Sequence, residues 1–337
     1  MLKLNNIMSK KQNPSIKKLS FFLYLVGGIF IVWLALGVFL FYKNINSSPT
    51  NIYLSSENPK QGDTIFIKVK TQANEVVGNF NGKKLIFYKK PNLQEWISFL
   101  GIDADQNAGD YKIFVDTSNA EHLEKNIKVA LASFSSDPTI PAPSAKKTGI
   151  SETKAVDNIR KTDNPALNKV INNFTSQPYF TSPFSSPLEK ATRSGFSFGQ
   201  FLGFGKNKIQ HLGVDLRAPE KTDIYAINDG KVVLTVNLSN YGKTVVIDHG
   251  LGIFSLYLHL EKFNVSNEEI VKRGQLIGLS GDTGYTTAPH LHFSIRVDGA
   301  RVDPIDFINT TQELNNASFT ANITNAFFNM FNFSSRQ

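Results

Sequence analysis

Apolar and polar residues alternate along this chain in short runs, and the period of the alternation changes at a few identifiable points. From Leu19 to Tyr42, 24 residues carry no charge and include Phe21, Phe22, Leu23, Ile29, Phe30, Ile31, Val32 and Trp33. At about 1.5 Å per residue, a helix of that length exceeds the roughly 30 Å hydrocarbon core of a bilayer, so residues 19–42 are expected to be a transmembrane helix. Short runs of period two follow: Thr64-Ile65-Phe66-Ile67-Lys68-Val69, Lys84-Leu85-Ile86-Phe87-Tyr88, Tyr111-Lys112-Ile113-Phe114-Val115 and Ile127-Lys128-Val129-Ala130-Leu131. Turn formers such as Gln61-Gly62-Asp63, Asn81-Gly82 and Ala108-Gly109-Asp110 separate them, which predicts a small Ig-like β-sandwich over 51–133. Residues 134–180 read as an exposed linker, rich in proline at its start. A weak helical pattern runs there through Val156, Ile159, Leu167, Val170 and Ile171, interrupted by Pro165. The stretch 181–309 returns to glycine-punctuated runs of valine and isoleucine, for example Lys231-Val232-Val233-Leu234-Thr235-Val236 and Thr244-Val245-Val246-Ile247, and reads as a β-rich domain. In the tail, 310–337, Phe319, Ile323, Phe327, Phe328 and Phe331 have the spacing of a short amphipathic helix. The fold class expected is therefore mainly β behind an N-terminal transmembrane helix.

Charge sharpens the N-terminal reading. The net charge of +8 includes five lysines and no acid in the first twenty residues, which leaves +3 for the rest. Residues 1–18 are then a basic cytoplasmic tail, and the positive-inside rule places everything after residue 42 outside the membrane. A cleaved signal peptide would have a shorter apolar region ending in small residues. Here Phe39-Leu40-Phe41-Tyr42 is bulky, so an uncleaved anchor is expected. No nucleic-acid-binding motif accompanies the basic balance, and no such partner is expected. The chain has no cysteine, which excludes disulfides and thiolate metal sites.

Candidate chemistry collects in the second β-rich segment. His211-Leu212-Gly213-Val214-Asp215 precedes His290-Leu291-His292, with His259 between them in Tyr257-Leu258-His259-Leu260. Imidazole nitrogen mixed with carboxylate oxygen suits zinc above other divalent ions. In an extended strand His290 and His292 share one face, with Leu291 and Phe293 on the other. His211 and Asp215 would meet one ion from a helical turn, but Gly213 and Val214 argue for a loop entering a strand. Imidazoles beside a metal site can accept or donate protons during hydrolysis. No HExxH motif is present, which excludes a zincin helix.

Taken together with their flanks, these motifs resemble the lysostaphin/LytM-type zinc endopeptidases that cut peptidoglycan. The matching stretches include His211 to Pro219, Ala226 to Val233, Tyr241 to Gly250, Tyr257 to Leu260, Gly281 to Gly284, Pro289 to Phe293 and Val302-Asp303-Pro304. The resemblance implies a LytM-type antiparallel β-sheet catalytic domain holding one zinc ion. It makes His211, Asp215 and His292 the zinc ligands, and His259 and His290 the catalytic histidines. His249 has no ligand role in that pattern. Tyr285, Ala288 and Lys221 depart from common family residues at positions that carry no metal or catalytic role, which puts substrate preference in question rather than activity. The expected protein is a membrane-anchored peptidoglycan endopeptidase facing the periplasm or wall, with other envelope proteins as further candidate partners. A catalytically silent scaffold that activates another wall hydrolase is the alternative, which the full set of five site residues disfavours.

Overall fold

The computed structural model describes residues 24–38, 50–137, 149–193, 195, 197–204 and 207–315. The chain divides into two compact units, Met1–Pro49 and Thr50–Gln337. In the first, residues 24–38 form a helix whose apolar side chains, Phe30 to Trp33 among them, are exposed. Among the described residues no helix is long and apolar enough to cross a membrane. The expected 19–42 span lies only in part within the described residues.

The second unit opens with eight strands: β1 (Asn51–Leu54), β2 (Thr64–Lys70), β3 (Val76–Phe80), β4 (Lys83–Leu85), β5 (Tyr88–Lys89), β6 (Glu95–Gly101), β7 (Gly109–Thr117) and β8 (His122–Val129). They form two antiparallel four-stranded sheets, ordered β1-β2-β6-β5 and β4-β3-β7-β8. Asn81 and Gly82 join β3 to β4 with φ of 49° and 81°, the positive values that a two-residue type I′ turn requires.

Twelve further strands follow. They are β9 (Ser136–Asp137), β10 (Phe201–Phe204), β11 (Asn207–Gln210), β12 (Val214–Leu216), β13 (Asp223–Tyr225), β14 (Gly230–Leu238), β15 (Gly242–Gly250), β16 (Ile253–Phe263), β17 (Ile270–Val271), β18 (Leu276–Ser280), β19 (Leu291–Val297) and β20 (Ala300–Val302). Nine of them build one sheet along β12-β19-β16-β15-β14-β17, with β13, β18 and β20 paired at its sides.

The segment read as a linker contains a docked helical element. Ser151 caps the helix Glu152–Asn158 by accepting from Lys154 N–H, a π turn follows at Ile159–Asp163, and a second helix runs Asn164–Ile171. Pro165 does not break the pattern because it lies in the first turn of that second helix, where no intrahelical donor is needed. Leu167 and Ile171 pack on Val246, Phe254, Leu256 and Leu258 of the large sheet. A last helix, Pro304–Thr311, is capped by Asp303. The expected amphipathic helix of the tail lies outside the described residues.

The sheet β1-β2-β6-β5 is apolar on both faces, and this unites the unit. Ile65, Ile67, Val69, Trp96 and Leu100 turn toward the other small sheet. The intervening Phe66, Ile97 and Phe99 join the core beneath the nine-stranded sheet. Phe99 lies 5.4 Å from Phe66, 6.3 Å from Phe180 and 6.1 Å from Phe307, ring centroid to centroid, so aromatic rings run without a gap from one part to the other. At the margin, Arg301 pairs with Asp103 and Asp105, and Asp306 accepts from Thr64 N–H at 2.7 Å. Phe99→Ala should therefore destabilise the whole Thr50–Gln337 unit by about 3–5 kcal/mol. Denaturation followed by fluorescence and by circular dichroism should show one shared transition moving down; two separated transitions in the parent protein would refute the shared core.

Candidate metal and active site

Strand alternation delivers two of the central residues. In β12, Val214 and Leu216 enter the core and leave Asp215 on the opposite face; in β19, Leu291, Phe293 and Ile295 do the same and leave His292, Ser294 and Arg296. Asp215 is the direct antiparallel partner of His292, and Leu258 of β16 flanks His292 on its other side. His211 ends the segment after β11 and reaches the same point. Gly213 makes this approach feasible: a Cβ there would overlap His292 Nε2, Ser294 Oγ and the Phe293 carbonyl.

His259 arrives differently. Regular alternation would send it with Tyr257 into the core, away from Leu258. Instead its φ is +60°, and the pairing of β16 is irregular around it. Its N–H donates to the Tyr241 carbonyl at 3.0 Å, and its ring lies 5.0 Å from that of His290 and 6.1 Å from that of His292. A positive φ at a residue with a Cβ is strained, and such strain gathers at functional sites. His290 precedes β19 and bridges to Gly281; its Nε2 is 3.5 Å from Asp215 Oδ1.

Three ligand-type atoms converge. His211 Nε2 is 2.9 Å from His292 Nδ1 and 3.1 Å from Asp215 Oδ1, and His292 Nδ1 is 3.0 Å from the same oxygen. The hydrogen bonds behind the rings define their tautomers. His211 Nδ1 is 3.1 Å from the Ser197 carbonyl, which can only accept, so the neutral ring carries its proton there. Ser294 Oγ donates to the Leu212 carbonyl at 2.8 Å and so accepts from His292 Nε2 at 3.1 Å. With the rings neutral, both nitrogens that face Asp215 are thus the lone-pair nitrogens. Three lone pairs about 3 Å apart are what an ion bound at about 2.0–2.2 Å from each would hold together. The donor set fits zinc, and three protein ligands are the complement of a catalytic rather than a structural site.

Electrostatics keep these groups in ligand form. Burial pushes the His292 imidazole down to about 4 and the His259 imidazole down to about 3, so both are neutral near pH 7. Burial opposes ionisation of Asp215, but the imidazoles around it, His211 foremost and then His290 and His292, outweigh it and hold the carboxyl well below its ordinary range. His249 stands apart from the cluster. It is fully buried between the Asp229 carbonyl and Ser255 Oγ, each at 2.7 Å, and burial lowers it to about 4.

The cluster opens into a cavity of about 860 Å³. Leu256, Leu258, Ser294 and Arg296 form its floor, and the helical segment walls it with Val156, Ile159, Asn164 and Leu167. Asp163, buried at the end of the π turn, accepts from Asn240 N–H at 2.8 Å, while Tyr241 O–H donates to Asn164 Oδ1 at 2.8 Å. The carbonyls of the same two residues accept from Tyr285 N–H and His259 N–H. The helical segment therefore braces the turn that holds His259.

All five residues expected at the site lie in this cluster. Sequence reasoning missed their supports. Ser294 was visible as the next residue on the His292 face; Ser197, Asp163 and Asn240 carried no local signal, because each acts across a distant contact.

Residues 209–304 match the family profile described as Peptidase family M23. Peptidoglycan DD-endopeptidase ShyA of Vibrio cholerae is 45% identical over 98 residues, 29% of this chain and 23% of that protein. DD-carboxypeptidase/endopeptidase Mpg of Neisseria meningitidis is 38% identical over 111 residues, 33% of this chain and 26% of the relative. The match thus spans about a quarter of the length of these curated relatives. The crystal structure of a Pseudomonas aeruginosa protein assigned to peptidase M23 superposes with a TM-score of 0.56 at 25% identity, over 75% of this chain and 96% of that one. The match to peptidase family M23 thus falls on residues 209–304, the stretch that carries the metal-type cluster, within a mainly antiparallel β fold.

His292→Ala or Asp215→Ala should abolish stoichiometric zinc binding, measured by calorimetry with elemental analysis, and binding to the parent protein should weaken as protons compete at lower pH. Undiminished zinc in either variant would refute the assignment. Asp163→Ala leaves the buried Asn240 N–H without its acceptor and should cost about 1–3 kcal/mol in chemical denaturation. A loss within error of zero would show that the helical segment does not brace the turn.

Proposed function

We propose that this chain is a zinc metalloendopeptidase that hydrolyses peptide bonds in peptidoglycan stems or cross-bridges. The observation that carries the reading is the convergence of three lone-pair atoms, 2.9–3.1 Å apart, beside two further histidines in a peptide-sized cavity. The curated relatives named for peptidoglycan endopeptidase activity support the substrate class.

His211, Asp215 and His292 would hold the zinc ion, which when bound supplies Lewis acidity toward a carbonyl and a water. His259 donates from Nδ1 to the Thr283 carbonyl at 2.8 Å, which leaves Nε2 as the acceptor nitrogen of the neutral ring. Neutral and held rigidly by its backbone, it can take a proton from the attacking water. His290 Nδ1 lies 2.8 Å from the Ala288 carbonyl, so this ring too is oriented from behind, with Nε2 turned toward the cluster. In its protonated form it can donate to the developing oxyanion or the leaving amine.

We further place the unit from Thr50 onward outside the cytoplasmic membrane, tethered by the 19–42 segment. The uncharged stretch, the preceding lysines and the helical conformation of residues 24–38 support that placement. Interaction with other envelope proteins is compatible with it.

Digestion of purified peptidoglycan by the full chain, followed by muropeptide analysis, tests the reading. Cross-linked species should fall, a chelator should stop the loss, and zinc should restore it. His259→Ala and His290→Ala should retain zinc and slow cleavage by about 10²–10⁴-fold. Muropeptides left unchanged by a zinc-loaded protein would overturn the enzyme and favour the silent scaffold.

A further inference from the structure

The cavity does not end at the five site residues. Along β19 its floor continues from His292 through Ser294 to Arg296, and it meets a second pocket lined by Lys83, Lys84, Asn168 and Asp298 that shares Arg296. Arg296 stands across from Phe254 on β16 and Arg301 on β20. The two arginines differ in how they are used. Arg301 is saturated: it contacts both oxygens of Asp103 and also Asp105. Arg296 donates from one terminal nitrogen to the carbonyl of its neighbour Ile295, at 3.1 Å. Among the described residues no carboxylate lies within 4.0 Å of its guanidinium. None of its nitrogens is both sealed from solvent and without a partner, so its remaining nitrogens keep some solvent exposure. The Tyr241 hydroxyl, which borders the same cavity, is committed to Asn164.

A half-buried guanidinium with most of its donor fork open to a ligand-sized cavity matches a planar anion that accepts two parallel hydrogen bonds. We propose that Arg296 is the specificity-determining residue of the groove, binding a free carboxylate of the peptide substrate. The proposal rests on the peptidase reading for its substrate class. Four strand residues at about 3.3 Å each separate Arg296 from His292, roughly 13 Å, which an extended peptide covers in about four residues. The carboxylate bound would therefore lie about three to four residues from the scissile bond. Both a chain-terminal carboxylate and a side-chain carboxylate present this chemistry. Arg301 at this end is neutralised by Asp103 and Asp105, and Asp298 borders the adjoining pocket beside Lys83 and Lys84; Arg160 and Lys208 also line the cavity but lie off β19, so among the described cations Arg296 is the unneutralised one on the same strand as His292.

Calorimetric binding to the full chain tests this without requiring turnover. The probes are a synthetic stem tetrapeptide and two analogues, one with the terminal carboxylate amidated and one with the side-chain carboxylate amidated. The parent protein should bind the free acid at least tenfold more tightly than one of the two amides, which identifies the carboxylate recognised. Arg296→Gln should bind all three peptides at the level of that amide, and Arg296→Lys should recover part of the preference, while zinc content and melting temperature stay close to the parent's. Equal binding of all three peptides by the parent protein would overturn the proposal, and this comparison needs no variant. Retention of the parent preference by Arg296→Gln would overturn it as well. An Arg296-dependent preference in a protein that cleaves nothing would remove the peptidase reading and leave the carboxylate site standing. Cleavage of acid and amides at equal rates, with equal binding, would do the reverse.

Discussion

Three lone pairs aimed at one point are electrostatically unfavourable unless a cation accompanies them, and the surrounding structure is organised to hold them there. Two imidazoles and a carboxylate at mutual distances of about 3 Å would drift apart or change tautomer if their backs were unsupported. The Ser197 carbonyl behind His211 and the Ser294 hydroxyl behind His292 prevent this by fixing where each ring carries its proton. Partners of this kind orient a ligand and raise its basicity. The same logic extends to His259 and His290, each anchored at Nδ1 by a backbone carbonyl, so that all four rings present Nε2 or Nδ1 lone pairs or donors to a common space.

Rigidity of that kind needs a scaffold that does not flex at the floor of the cleft. The nine-stranded sheet supplies it by burying one face in a core that continues into the N-terminal sandwich. Phe66 and Phe99 on one side and Phe180, Phe184 and Phe307 on the other form a single aromatic cluster. The sandwich is thus part of the support beneath the site rather than a module hung in front of it. Its residue Asp103 also neutralises Arg301, the neighbour of Arg296 across β20.

The helical segment between the two β parts contributes from above. It covers the apolar face of β14 to β16 with Leu167 and Ile171 and forms a wall of the cavity. Its π turn places the Asp163 carboxylate against Asn240 N–H, and π turns are common where a helix must re-aim a side chain at a working site. Through the Asn240–Tyr241 turn, Asp163 and Asn164, well upstream of the first metal-site motif at His211, shape the backbone of His259.

Much of this was legible in the chain. Alternation along β12 and β19 already put Asp215 and His292 on faces opposite to their apolar neighbours, because a period of two is a local property of an extended backbone. The Asn81-Gly82 hairpin and the chemistry of a His and Asp cluster were equally local. His259 was legible as chemistry but not as geometry: alternation alone sends it into the core with Tyr257, and only the positive φ and the irregular pairing of β16 turn it into the cleft. The docking of residues 152–171 was not readable either, since a weak amphipathic pattern states which face is apolar but not which surface covers it. The same holds for the sandwich, whose second apolar face in β2 and β6 reads as a run of hydrophobic residues until the Phe180 and Phe307 rings meet it. What the sequence by itself determined was the local conformation and the kinds of atoms offered; the tertiary structure decided which of them meet, because contacts between distant segments depend on the packing of the whole chain.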